Sequence, residues 1–150
     1  MKKKGGHAAQ ALGRSRGGWS TKIHAGCRDE RTGVAIVLTA GHCHERPVFE
    51  TVLAQVPPVP SLTHAIMDKG YDSTRIREQL IVHDMVPVIP PKRNRIATIA
   101  YDKNLYKLRE KVERFFNHLK QVRRIATRYE KLSQTFLAFI HLVAAWMIIK

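Results

Sequence analysis

The chain has 150 residues, of which 44% are apolar and 25% charged, and this composition excludes disorder throughout and is typical of a globular domain. Its formal net charge of +14 indicates a polyanionic partner, either nucleic acid or an anionic membrane surface. The most apolar stretch, residues 135–149, is shorter than the roughly 20 residues that cross a bilayer, and the first residues lack the apolar run of a signal peptide. We therefore expect a cytoplasmic protein with no membrane partner and with free thiols at Cys27 and Cys43.

The first half of the chain predicts a basic arm followed by a hairpin. Residues 1–18 are rich in Gly, Lys and Arg and lack an apolar period, which favours a flexible arm, with the structured domain spanning residues 19–150. Residues 20–27 and 34–39 favour strands, and the turn-like residues between them predict a β-hairpin. A short helix is predicted at residues 47–55.

The second half predicts a strand, a turn and a helix around Asp68. An apolar run at residues 63–67 ends there, Gly70 permits a tight turn, and Ser73 can cap a helix that reaches residue 83. Residues 85–89 predict another strand, stopped by two prolines. Two long helices, at residues 104–126 and 129–149, complete an α/β chain in which no internal repeat is visible.

Within the first long helix, four functional side chains recur at helical spacing. Tyr106, Arg109, Glu113 and Lys120 stand at offsets of three, four and seven and share a wedge of about 60°. An apolar stripe lies roughly 100° away; it comprises Leu105, Leu108, Val112, Phe115, Leu119 and Val122. A carboxylate among cations has the chemistry of a metal ligand beside phosphate-binding groups, although a solvated face on which Glu113 pairs with Arg109 explains the spacing equally well.

These residues resemble a family signature. Tyr106-x2-Arg109-x3-Glu113-x6-Lys120 is similar to the YREK signature around the last acidic residue in DDE transposases of bacterial insertion sequences. Other segments resemble the fifth insertion-sequence family: Asp68-Lys-Gly-Tyr-Asp72, Gly13-Arg-Ser-Arg-Gly-Gly-x-Ser-Thr-Lys-Ile-His24, Leu38-Thr-x-Gly41 and Val88-Ile-Pro-Pro91. The resemblance covers nearly the whole chain from Gly5 onward.

The resemblance implies an RNase H-like catalytic core that performs DNA transposition by two-metal phosphoryl transfer. It assigns Asp68 and Glu113 as the catalytic carboxylates and as ligands of Mg²⁺ or Mn²⁺, two ions in the complete enzyme. The implied DNA contacts are Tyr106, Arg109, Lys120, Arg14, Arg16 and Lys22. The expected partners are double-stranded DNA at the insertion-sequence ends and target, an upstream transposase segment and a second copy of the chain, all at the bacterial nucleoid.

The chain departs from the family at the first catalytic aspartate. The family carries it in an Asp-Ser-Thr-like segment upstream of the Gly-rich basic stretch, and residues 1–12, which precede that stretch here, contain no aspartate. We therefore expect the C-terminal part of a catalytic domain, either the downstream frame of a frameshifted transposase or a truncated copy, that is inactive alone. Asp29 is a poor substitute because it lies in the predicted hairpin turn without that motif.

Two other classes of function remain open. A catalytically inactive DNA-binding fragment that regulates its element needs only the basic face, whereas a ribosome-associated protein would prefer RNA and would tolerate loss of Asp68 or Glu113. These alternatives differ from the enzyme in their dependence on metal.

Several other residues suggest sites that we consider weaker. A zinc site is disfavoured because the residues that would form it lack paired spacing; they are His24, Cys27, His42, Cys43 and His44. The Gly-rich stretch lacks the ending of a P-loop. Trp19 and Trp146 are interpreted as core or hinge residues rather than base-stacking platforms, and Asp72 either supports Asp68 or is an ordinary helix N-terminal carboxylate.

Overall fold

A computed structural model describes residues 6–44, 46–58 and 64–150. The chain divides into two compact units, one formed by the residues up to Pro57 together with Lys111–Lys150 and the other by Pro58–Glu110. We name them the hairpin unit and the parallel-strand unit after their sheets. Within the described ranges, no helix has both the length and the apolar character that a membrane span requires.

The sheet of the hairpin unit has three antiparallel strands in the order β1 (Gly13–Ser15), β2 (Gly18–Cys27) and β3 (Gly33–Ala40). The turn between β2 and β3 is held by Asp29, whose Oδ1 accepts hydrogen bonds from the backbone N–H groups of Arg31 and Thr32, both at 2.8 Å. The predicted hairpin is confirmed. Helix α1 (Phe49–Leu53) follows, within the residues predicted as a short helix, and contacts β2 and β3.

Strand β1 corrects the prediction of a flexible arm over residues 1–18. Ser15 lies opposite Gly18, so Arg16 and Gly17 form a two-residue loop, and Gly18 has a φ of 102°, a conformation open to glycine. The Ser15 hydroxyl donates to the Gly18 carbonyl at 3.1 Å. The sequence signal failed because this pairing is made by backbone groups, which a polar, Gly-rich composition does not reveal. Residues 1–5 lie outside the described ranges.

The parallel-strand unit confirms the predicted strand, turn, helix and strand. Strand β4 (His64–Ile66) pairs in parallel with β5 (Val86–Val88), and α2 (Thr74–Val82) connects them. Ser73 caps α2, its hydroxyl accepting from the Ile76 N–H at 3.2 Å. The predicted first residue of β4, Thr63, lies outside the described ranges.

The predicted continuous helix over residues 104–126 is wrong. Helix α3 (Lys103–Lys107) ends in a tightened turn, in which the N–H groups of Leu108 and Arg109 donate to carbonyls three residues back. Helix α4 (Glu110–Gln121) stops where Val122 becomes extended, and α5 (Arg123–Ala126) follows. The hydrophobic period did not reveal these interruptions because it continues across them.

Helix α6 (Ser133–Ile149) begins four residues later than predicted and completes the core of the hairpin unit. The most deeply buried side chains of that core, all 1% exposed or less, are Phe115, Leu119, Phe136 and Ile140. Two members of the predicted apolar stripe of α4 are therefore buried as expected, whereas Leu108 in the preceding turn is 41% exposed. The fold is a mixed α/β arrangement, as predicted.

Candidate functional site

Asp68 lies in the turn that follows β4. The pairing of the two parallel strands extends to Met67, whose N–H donates to the Val88 carbonyl at 3.2 Å. Asp68 is half-buried, and its Oδ1 accepts a hydrogen bond from the Gly70 N–H at 2.7 Å. Because the strand fixes one side of the residue and the Gly70 bond fixes its carboxylate, the side chain is held in one orientation at the end of a sheet.

The Asp68 carboxylate lies so close to Gly70 that a side chain at position 70 would contact it. A Cβ built on Gly70 would lie 2.8 Å from the Asp68 Oδ1. Any larger residue would therefore push the carboxylate out of its position. The glycine of the Asp68-Lys-Gly-Tyr-Asp72 segment serves the geometry of Asp68 as well as the turn.

Asp72 lies at the other end of the turn and is buried, with 1% of its side chain exposed. Its Oδ1 accepts from Arg77 Nε at 3.0 Å and from Arg95 at 2.8 Å, and its Oδ2 accepts from the Lys92 backbone N–H at 2.8 Å. Burial by itself would raise the pKa of this carboxyl, but the hydrogen bonds from Lys92, Arg77 and Arg95 together hold the pKa below its ordinary value.

These bonds make Asp72 a tie between the turn, α2 and the loop after β5. Arg77 also donates to the Ile89 carbonyl at 2.7 Å, and the Lys92 ammonium donates to the Asp72 carbonyl at 2.9 Å. Asp72 is therefore more than a helix N-terminal carboxylate. It fixes the backbone that follows Asp68. These contacts favour the interpretation that Asp72 supports Asp68.

Glu113 and Lys120 are exposed residues on α4, seven positions apart, on a different face from the buried Phe115 and Leu119. Lys120 Nζ lies 6.0 Å from the centre of the Phe116 ring. The four-residue stripe is not carried by one uninterrupted helix: Tyr106 lies in α3, where its ring packs edge-on against Tyr101, and Arg109 lies in the tightened turn. Glu113 and Lys120 belong to the hairpin unit, whereas Asp68, Tyr106 and Arg109 belong to the parallel-strand unit.

The predicted DNA-binding residues at the start of the chain lie on the β1–β2 hairpin. Arg14 is exposed on β1 and Arg16 is exposed in its two-residue loop. Lys22 lies on β2 and donates to the Cys43 carbonyl at 2.9 Å. Arg14 and Lys22 therefore lie on strands of a hydrogen-bonded sheet, and Arg16 lies in the loop that joins two of these strands.

A cleft of about 820 Å³ in the hairpin unit brings two predicted cations together. Lys22 from β2 and Lys120 from α4 both line it, although they are far apart in sequence. Arg128 forms part of its wall, donating to the carbonyls of Gln10 and Glu130 at 2.8 and 2.9 Å. We call this concave surface the lysine cleft; its positive side chains suit a phosphate backbone.

Sequence reasoning missed two aromatic residues of the lysine cleft. Trp19 is 61% exposed and Tyr129 is 58% exposed, and both line the cleft. Trp19 and Trp146, which is 54% exposed on α6, are therefore not core residues, and their interpretation as hinge residues stays a prediction. The alternation of polar and apolar residues in β2 could not reveal this, because its cleft-lining residues include both kinds.

Asp29 and His24 make hydrogen bonds that stabilise the sheet of the hairpin unit, and Cys27 is partly buried. Asp29 holds the β2–β3 turn, and His24 Nε2 lies 2.7 Å from the Thr39 hydroxyl. Burial raises the pKa of Cys27 to about 12, which keeps the thiol protonated. Across residues 6–44, 46–58 and 64–150, no group of three or more His, Cys, Asp or Glu side chains is arranged to hold a metal ion.

Known proteins resemble this chain over nearly its whole length. The family model for the transposase DDE domain matches residues 2–148. A relative from Brucella ovis, named "Putative transposase for insertion sequence element IS6501", is 34% identical over 129 residues, which are 84% of this chain and 95% of the relative. No solved structure matches the chain significantly.

Proposed function

Because the chain belongs to the transposase DDE domain family, whose activity is DNA transposition, we propose that it supplies two carboxylates and a set of cations to a phosphodiester-transfer site on DNA. Asp68 and Glu113 are the proposed catalytic residues. The carrying observation is Asp68, a carboxylate fixed at the end of a parallel strand by the Gly70 bond and by the Asp72 tie.

The spacing Tyr106-x2-Arg109-x3-Glu113-x6-Lys120 supports the finer assignment to the fifth insertion-sequence family of the YREK type. An RNase H-like core is proposed on the same grounds, with support from a carboxylate at the end of a strand paired in parallel. In this proposal an upstream segment supplies the first aspartate, because residues 1–12, which precede the Gly-rich basic stretch, contain no aspartate.

The donor set of the proposed site fits hard divalent cations. Carboxylate oxygens are the ligands that Mg²⁺ and Mn²⁺ prefer, and both Asp68 and Glu113 are carboxylates with exposed or half-exposed side chains. The metal, when bound, would supply Lewis-acid activation for in-line displacement at a phosphodiester. Asp68 and Glu113 would hold it.

The cations of the chain would hold the DNA backbone. Arg14 and Arg16 are exposed on the first hairpin, and Lys22 and Lys120 line the lysine cleft. Tyr106 and Arg109 are proposed as further contacts to the DNA backbone, because their spacing from Glu113 is that of the YREK signature. Phosphate contacts of this kind position DNA without reading its sequence.

DNA binding is expected to depend steeply on salt. The net charge of +14 would displace several counterions from duplex DNA, so affinity should fall at least about tenfold between roughly 50 and 200 mM salt, with little sequence preference. Filter binding of unrelated duplexes at several ionic strengths measures this. An affinity that scarcely changes over that range would contradict a contact dominated by phosphates.

Lys120→Ala should weaken duplex binding and reduce the salt slope by about one, because one phosphate contact is lost. Its melting temperature should stay that of the parent chain, since Lys120 is exposed. Phe115→Ala, on the buried face of the same helix, is the matched comparison and should lower the melting temperature. If Lys120→Ala melted as early as Phe115→Ala, the assignment of the two faces of α4 would be wrong.

A further inference from the structure

We propose that the lysine cleft binds an unpaired stretch of a DNA strand, with bases stacked on Trp19 and Tyr129 and phosphates on the lysines. This inference rests on the proposed action on DNA and adds the state of the strand that the cleft accepts. Neither the family match nor the relative assigns a ligand to this surface.

The first support is the exposure of two large aromatic rings in one concave surface. Trp19 and Tyr129 are more than half exposed, and both line the same cleft. A flat aromatic face in a cleft can stack on the face of a base. In duplex DNA the bases are already stacked on each other, so only an unpaired base offers that face.

The second support is the charge of the lining. Lys22, Lys120 and Lys131 are the lysines of the cleft. The acidic residue of the lining, Glu130, has 3% of its side chain exposed and is paired with Arg124. The charge presented to a ligand is therefore positive, and its combination with aromatic rings is the arrangement by which proteins hold single strands.

The third support is that the cleft wall is built in advance of any ligand. The Arg128 guanidinium donates to the carbonyls of Gln10 and Glu130, and its centre lies 5.1 Å from the Phe136 ring, which is buried in the core. The backbone that carries Tyr129 is thereby tied to the first part of the chain. A cleft of about 820 Å³ suits a short single-stranded segment, whereas a duplex could only lie across its mouth.

The test uses the intact 150-residue chain and its two tryptophans. In Trp146→Phe, the fluorescence reports Trp19 alone. Titration with a short oligothymidine strand should quench that emission, whereas a blunt duplex should quench it much less. Trp19→Ala and Tyr129→Ala should each weaken single-strand binding at least about fivefold and leave duplex binding within about twofold.

Trp146→Ala is the matched control, because Trp146 is similarly exposed but does not line the cleft; it should leave single-strand binding unchanged. Circular dichroism and melting temperature verify the fold of each variant, and Trp19→Phe should keep most of the affinity because a ring remains. An abasic oligonucleotide of equal length and charge tests the parent chain without any substitution, and it should bind at least about fivefold more weakly than oligothymidine.

The proposal is overturned if the abasic strand binds as tightly as oligothymidine, if Trp19→Ala weakens duplex and single strand equally, or if an RNA strand of the same sequence binds about tenfold more tightly than DNA. If the parent chain bound neither duplex nor single-stranded DNA, the proposed function itself would be overturned. Duplex binding without any single-strand quenching would overturn this inference alone, so the two failures are distinguishable.

Discussion

Asp68→Ala and Glu113→Ala are each expected to reduce DNA cleavage and joining by about a thousandfold or more, because a lost metal ligand removes several kcal/mol of transition-state stabilisation. The reaction is measured in Mg²⁺ or Mn²⁺ with a chain extended by the upstream segment that is proposed to supply the first aspartate. The 150-residue chain alone should show no cleavage.

Two matched variants control for loss of charge and of capping. Asp102→Asn changes an aspartate that, like Asp68, caps a short turn by accepting backbone N–H bonds. Glu78→Gln changes an exposed glutamate on α2. Both should keep nearly full activity, and the duplex affinity of all four variants should stay within a few-fold of the parent.

The contrary outcomes are specific. Metal-dependent strand transfer by the 150-residue chain would mean that another carboxylate completes the site. An extended chain that binds DNA normally but never cleaves it would favour the alternative of a DNA-binding regulator.

Asp72→Ala is expected to destabilise the parallel-strand unit by about 3–5 kcal/mol, because it leaves the Arg77 guanidinium buried without its partner. The side chains of Asp72 and Arg77 are 1% and 9% exposed, and the two atoms of their ion pair lie 2.9 Å apart. Hydrogen exchange of the α2 amides measures the loss locally, which suits a chain of two compact units.

Glu78→Ala, which removes an exposed carboxylate from the same helix, should cost less than about 1 kcal/mol. The double variant Asp72→Ala with Arg77→Met should recover part of the stability, because it removes the unpaired charge. A cost below about 1 kcal/mol for Asp72→Ala would contradict the role of Asp72 as a tie.

The stability of the same unit should depend on pH in a direction set by Asp72. The folded chain holds the pKa of this carboxyl below its ordinary value of 3.8. The contribution of Asp72 to the free energy of unfolding is therefore fully present above pH 3.8. It is lost as the pH falls through the lower pKa that Asp72 has in the folded chain. Hydrogen exchange of α2 on acidification should show this loss, and Asp72→Asn should flatten it.

Local signals predicted the local structure well. The Ser73 cap and the strands that precede and follow α2 were predicted from spacing and turn chemistry, and the structure has them. The assignment of Asp68 and Glu113 as catalytic residues came from the family signature and stays a prediction. The helical spacing around Glu113 alone was equally compatible with a solvated helix face.

The features that sequence missed depend on contacts between distant residues. Asp72 is buried because Arg77, Lys92 and Arg95 converge on it from α2 and from the loop after β5. Lys22 and Lys120 share a cleft only once β2 and α4 are folded. Neither periodicity nor composition carries such information, because both describe neighbours along the chain.

The 2.8 Å approach of a Gly70 Cβ to the Asp68 carboxylate bears on how copies of such a gene lose function. Every change at the first or second base of a glycine codon either introduces a side chain or stops translation. A single point mutation there would displace the carboxylate while leaving each acidic codon intact. With Asp68 in its proposed catalytic role, inspection of the acidic codons alone would count some inactive copies as active, and codon 70 should be read alongside them.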